Sequence, residues 1–161
     1  MLQDALVGAV AGALGTVALN IATYADMAIR ARPSSSAPSE MVGVFAKKAN
    51  VPLSSKGVGA QDDTTKNRES GIGALLGFVN GLGVGALYGL LRSQIDGDVS
   101  IPFAGTIIGA AAMAASDVPL ATSGVSNPKT WSASSWASDA IPHLIYGLVT
   151  ALAYEALQDR D

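Results

Sequence analysis

The stretch SGIGALLGFVNGLGVGALYGLL, residues 70–91, decides how this chain is read. Its 22 residues contain no Asp, Glu, Lys or Arg, and its one strongly polar side chain is Asn80. At ~1.5 Å per residue a helix of that length crosses a hydrocarbon core of ~30 Å. A water-soluble helix as long as this shows a polar face at the 3.6-residue period. None is present, so the alternative of a soluble four-helix bundle with an Ala- and Gly-rich core is set aside.

Working outward, three more stretches share the pattern. Residues 5–25 are uncharged and are interrupted only by Asp26 before Ile29; residues 99–116 are uncharged, and Asp117 sits where the helix meets the interface. The last, residues 140–154, is shorter and holds Pro142 and His143, with Trp131 and Trp136 upstream at the depth where amphipathic rings prefer to lie. The expected spans are 5–29, 70–91, 99–119 and 136–157, with a Gly97-centred turn joining the second and third as a hairpin. A cleaved signal peptide needs a basic start, and Met-Leu-Gln-Asp is not one, so the first stretch is expected to remain as a span.

Composition agrees with one integral membrane domain over residues 1–161. Only 14% of residues are charged, against about 25% in an average soluble domain, and the mean hydropathy is +0.35. A net charge of −3 argues against nucleic acid as a partner. With no cysteine there is no disulfide, thiolate metal site or cysteine nucleophile.

The basic residues are lopsided. Arg30, Arg32, Lys47, Lys48, Lys56, Lys66 and Arg68 lie in the connection 30–69 and Lys129 in the last one, leaving only Arg92 and Arg160 for the opposite side. The positive-inside rule puts both basic connections in the cytoplasm and both termini outside. Within the first connection, the run Pro33 to Pro38 breaks the chain, and Ser36 or Ser39 caps a short helix ending near Asn50. Met41, Val42, Val44 and Phe45 give that helix an apolar side, and Lys47 and Lys48 a basic end. It either lies on anionic headgroups or packs on the inner end of the bundle.

Glycines carry the packing. Gly73, Gly77, Gly81, Gly85 and Gly89 recur every four residues along the second span, and Gly8 with Gly12 and Gly105 with Gly109 are the natural partners. In lipid, small residues let backbones approach and so supply dispersion contact where the hydrophobic effect is weak. The same letters suggest two repeated helical hairpins. An offset of 97 pairs Gly8, Gly12 and Asn20 with Gly105, Gly109 and Asp117; an offset of 66 pairs Gly81 and Tyr88 with Gly147 and Tyr154.

Polar residues at membrane depth are costly and raise a functional expectation. Here the candidates are Asn20, Tyr24, Asp26, Arg30, Asp117 and His143, with Asp139 one turn before the histidine and Asp26 spaced to pair with Arg30. No nucleophile elbow, phosphate loop, dinucleotide fingerprint or metal-ligand spacing is present. Neither a catalytic residue nor a cofactor is expected.

The run Tyr24-Ala25-Asp26-Met27-Ala28-Ile29-Arg30-Ala31-Arg32-Pro33-Ser34-Ser35, with Pro142-His143-Leu144-Ile145-Tyr146-Gly147, resembles a group of small, uncharacterised four-span membrane proteins of actinobacterial type. The resemblance implies a bacterial cytoplasmic membrane and a four-span layout, and carries over no catalytic residue. It marks Tyr24, Asp26, Arg30, Arg32 and His143 as the positions to change first. The expected function is a non-enzymatic multi-pass protein with a structural, lipid-binding or partner-binding role. Its partners are then the bilayer and, as open alternatives, a second copy or another membrane protein. The competing expectation is a small proton- or cation-coupled transporter or channel using His143 with Asp26 or Asp117.

Overall fold

A computed structural model describes residues 1–158, which leaves Arg160, counted above among the outer charges, outside the described residues. Every regular element in them is helical: α1 (Leu2–Arg30), α2 (Ala37–Lys48), α3 (Asp63–Arg92), α4 (Ile101–Thr122) and α5 (Ala133–Gln158), with a 3-10 turn at Pro128–Thr130 before α5. Four of them, α1, α3, α4 and α5, are long and apolar enough to cross a membrane. The fold is an all-α four-helix bundle, and the chain is a multi-pass membrane protein.

Local chemistry moves most helix ends outward from the uncharged stretches, while α4 starts inward, at Ile101 rather than residue 99. The largest shift is in α3, which begins at Asp63 rather than near residue 70. The Asp62 carboxylate accepts a 2.8 Å hydrogen bond from the Thr65 amide and caps a charged first stretch that the hydropathy pattern excludes. Pro119 does not stop α4, because a proline near a helix end forfeits one hydrogen bond and the last turn tolerates it. Ser36 stands at the N-cap of α2, where its hydroxyl donates to Glu40 Oε1 at 2.6 Å rather than to the backbone.

The bundle is apolar outside and small inside. Leu6, Val10, Leu14, Val17 and Ile21 run exposed along one side of α1, while its buried residues are Gly8, Ala11, Gly12, Gly15 and Thr16. A soluble protein would invert that order; acyl chains solvate it as it stands.

Neighbours are chosen by small faces rather than by sequence order. The helix α1 lies on both α3 and α5, and α4 lies on α5, whereas the consecutive pair α3 and α4 touch only briefly. The expected α3–α4 hairpin is thus joined in sequence but barely packed, since the glycine face of α3 is taken by α1. A Cβ added at Gly8 would fall on the Gly85 carbonyl oxygen, and one at Gly85 would fall on that of Gly8 and lie 2.7 Å from the Gly12 Cα. On the other side, a Cβ at Gly147 would meet the Gly105 carbonyl and the Gly109 backbone.

Two details differ from the lettered pattern. The ladder does not run uninterrupted against α1: Gly73 abuts Pro38 and Ser39 at the start of α2, and Gly77 has no atom within 4 Å of an added Cβ. The repeat is also displaced. Gly85 stands between Gly8 and Gly12 as Gly147 stands between Gly105 and Gly109, so the equivalent positions of α3 and α5 are 62 residues apart, not 66. Four residues is one turn, and a ladder with glycine at every fourth position looks the same when slid by one rung.

The helix α2 packs against the start of α3 with Val42 buried, and keeps Phe45 and Lys48 exposed. The end of the bundle that carries α2 is called the inner end below.

Candidate functional site

Where the glycine contacts stop, the bundle opens. A cavity of about 750 Å³ occupies its inner half, lined from α1 by Thr16, Asn20 and Tyr24, from α3 by Gly77 and Asn80, from α4 by Asp117 and from α5 by Asp139, His143 and Tyr146. Its position follows from the packing: α3 and α4 are not pressed together there, and Gly77 has no side chain to fill the gap. One bridge remains at that level, from Asn80 Nδ2 to the Ala112 carbonyl at 3.2 Å.

Three titratable groups meet in this cavity. His143 Nδ1 lies 2.8 Å from the Asp139 backbone carbonyl and 3.4 Å from Asp139 Oδ1. The carbonyl is the closer acceptor, so Nδ1 carries the proton and Nε2 is left free to accept one. Asp117 comes from α4 and lines the same cavity, close enough to Asp139 for the two carboxyl groups to act on each other's charge. Asp139 Oδ2 is buried with no donor beside it. Two carboxylates facing each other in a low dielectric call for a positive charge between them, a proton or a cation.

The other candidates form a collar at the inner rim. Asp26 accepts from Arg30 Nε at 2.9 Å, Arg32 Nε at 2.5 Å and Ser138 Oγ at 3.2 Å. Arg30 further donates to Ser134 Oγ at 2.9 Å and Ser138 Oγ at 2.5 Å. The collar ties the end of α1 to the start of α5 and sets two guanidinium groups against one carboxylate, which leaves it net positive. Nearby, the Trp131 and Trp136 rings lie 5.0 Å apart, and Trp131 Nε1 donates to Ser126 Oγ at 3.1 Å.

Among the six polar candidates read from the sequence, Asn20, Asp117 and His143 therefore line one cavity. Tyr24 and Arg30 line it too, toward the inner end, and Asp26, which does not line it, is spent on Arg30 and Arg32. The 97-residue offset that paired Asn20 with Asp117 puts both on the same cavity from opposite helices. The approach of Asp139 to Asp117 and the bridge from Asn80 were not legible from spacing, because both cross between helices.

Thr150 is not among the residues the sequence picks out, and Tyr154 is picked out only as the repeat partner of Tyr88. The signal was available: Asp139, His143, Tyr146, Thr150, Tyr154 and Gln158 follow one another at steps of three or four along an otherwise apolar helix. Among the described residues no three His, Asp or Glu side chains gather closely enough to hold a metal ion.

No family model matches the chain, and no curated protein or solved structure matches it either.

Proposed function

We propose that the chain is a non-enzymatic protein of a bacterial cytoplasmic membrane, with both termini outside. In this reading it takes up a proton or small cation from the cytoplasmic side at Asp117, Asp139 and His143. The observation that supports this is the meeting of two carboxylates and the only imidazole of the chain in one cavity in the inner half of the bundle. The bias of Lys and Arg toward that end supports its cytoplasmic placement, and the resemblance to small four-span actinobacterial proteins supports the choice of membrane. The absence of three-ligand geometry among the described residues favours a proton over a metal ion.

The test is ion movement in proteoliposomes under an imposed pH gradient or membrane potential. Flux is expected to be lost in Asp117→Asn and His143→Ala, with both variants still monodisperse in detergent. Flux indifferent to both substitutions would remove the cavity from the mechanism.

A second reading rests on α2. Phe45 is exposed beside the exposed Lys47 and Lys48, a combination that suits contact with anionic headgroups. Vesicle co-sedimentation of the α2 segment, with and without anionic lipid, tests it.

A further inference from the structure

We propose that the polar face of α5 is a proton path that continues from the cavity through the outer half of the bundle, so that the species crossing this protein is the proton itself. The proposal rests on the reading of the inner cavity given above and extends it to the opposite surface.

The geometry is that of one continuous stripe. Asp139, His143, Tyr146, Thr150, Tyr154 and Gln158 fall on one side of the helix. At 1.5 Å per residue they cover ~28 Å, close to the thickness of a hydrocarbon core. The three in the middle are the most enclosed: Tyr146 is 1% exposed, Thr150 0% and Tyr154 2%. An apolar helix in lipid has no need of hydroxyl groups at its centre, where each unsatisfied polar group is expensive.

Hydrogen bonding along the stripe is incomplete where a transfer path needs it to be. The Tyr146 hydroxyl donates to the Gly81 carbonyl at 2.6 Å, across the bundle to α3. The Tyr154 hydroxyl donates to the Gly89 carbonyl at 3.3 Å and accepts from Gln158 Nε2 at 2.9 Å, and the same amide donates to Asp4 Oδ1 at 3.2 Å at the outer end. Between them Thr150 Oγ1, beside the Tyr146 phenol, is buried without a well-formed hydrogen bond.

Three threonines of the spans bond differently from it, although Thr65 Oγ1, in the first turn of α3, is buried without a partner as well. Thr16, Thr106 and Thr122 each donate back to the carbonyl four residues earlier at 2.8 Å. Thr150 does not, although the same carbonyl geometry is open to any helical threonine. A valine of the same shape would fill the site without the cost of an unpaired hydroxyl. The Tyr88 hydroxyl, on a ring packed edge-on against Tyr154 at 5.2 Å, is the second buried hydroxyl in this half with no hydrogen bond.

The path is too tight for a hydrated ion. A methyl group built on Gly15 would collide with Thr150 Oγ1, and one on Gly81 would collide with Thr16 Oγ1. Protons pass such a place by exchanging partners. A proton from cytoplasmic water enters on a carboxylate of the Asp117–Asp139 pair and passes through His143 Nε2. The hydroxyls of Tyr146, Thr150 and Tyr154 each accept a proton on the oxygen as their own O–H bond breaks toward the next group, and Tyr154 passes it to water, because the Gln158 amide donates to that oxygen and holds it without carrying the proton. One proton leaves to water at the outer end beside Asp4. Rotation of the hydroxyls restores the starting state, with no net change in any bond of the protein. Successive groups are one helical turn apart along α5.

The experiment uses full-length protein in proteoliposomes with a pH dye inside and a potassium diffusion potential as the drive. It also records the infrared carbonyl band of a protonated carboxyl, assigned through Asp117→Asn. Thr150→Val and Tyr154→Phe are expected to reduce proton flux to the level of protein-free vesicles while leaving that band unchanged, and Thr150→Ser is expected to conduct as the wild type does. Wild-type flux in Thr150→Val, or equal loss in Thr150→Ser, would overturn the path. A titrating band in a wild-type protein that carries no proton flux overturns the path and leaves the cavity reading standing; absence of both overturns the two together.

Discussion

In the outer half of the bundle, α1 meets α3 backbone to backbone, with Gly8 and Gly12 against Gly81, Gly85 and Gly89. In the inner half the same ladder continues to Gly77, yet nothing stands opposite it, and Asn20, Asp117 and His143 surround a cavity instead. The comparison teaches that a glycine in a membrane helix does not carry packing in itself. Where a second glycine faces it, two backbones close and dispersion holds them. Where helices part, its missing side chain becomes space, and that space is worth something only if polar groups line it.

The sharpest way to break this contrast is to overfill both rungs. Gly85→Leu drives a side chain into the Gly8 carbonyl and the Gly12 backbone, neither of which can rotate away, and is expected to cost about 3 kcal/mol or more. Gly77→Leu points into open space and is expected to stay within about 0.5 kcal/mol. Thermal unfolding in detergent checks both, and equal melting temperatures would erase the distinction between the halves. The same Gly77→Leu protein is expected to lose ion flux, since the new side chain fills part of the cavity.

Next in size is the floor of the cavity. Tyr146→Phe removes the 2.6 Å bond to the Gly81 carbonyl and keeps the ring, so a loss of about 1 kcal/mol is expected. A loss several times larger in the same unfolding assay would mean that the hydroxyl holds the two halves in register and does not merely separate them.

The smallest effect lies outside the spans, at the start of α3. The Thr65 amide bonding to Asp62 holds that carboxyl below the usual carboxylate range. A depressed folded-state value means the cap contributes fully at pH above the ordinary carboxylate range and is lost as pH falls through the lower, folded value. Hydrogen exchange of the first turn of α3 is therefore expected to speed up only on that acid side. In Asp62→Asn, where the amide oxygen still caps, the acceleration is expected to disappear.

Much of the architecture was written in the letters. Uncharged runs of the right length announced four membrane-crossing helices, because removing a helix from water requires little more than the absence of charge over about 20 residues. The depth of Asn20, Asp117 and His143 was legible for the same reason. Which helices touch was legible only in part: Gly8 and Gly12 stood out as partners of the α3 ladder and do meet it, whereas Gly105 and Gly109, offered on the same terms, pack on α5. A glycine every fourth residue fits its partner equally well after a slide of one rung, so the letters allowed an offset of 66 between α3 and α5 where the fold holds 62.

The site divides along the same line. Sequence determined which polar groups would be carried to the inner half, because depth in a membrane follows from position along a helix. Only tertiary structure decided that Asp117 would face Asp139 across two helices, that Asp26 would be consumed by Arg30 and Arg32 at the rim, and that Thr150 would be enclosed with its hydroxyl unpaired. Rotation about the helix axis and the choice of neighbour set those contacts, and both come from fitting small faces together in three dimensions.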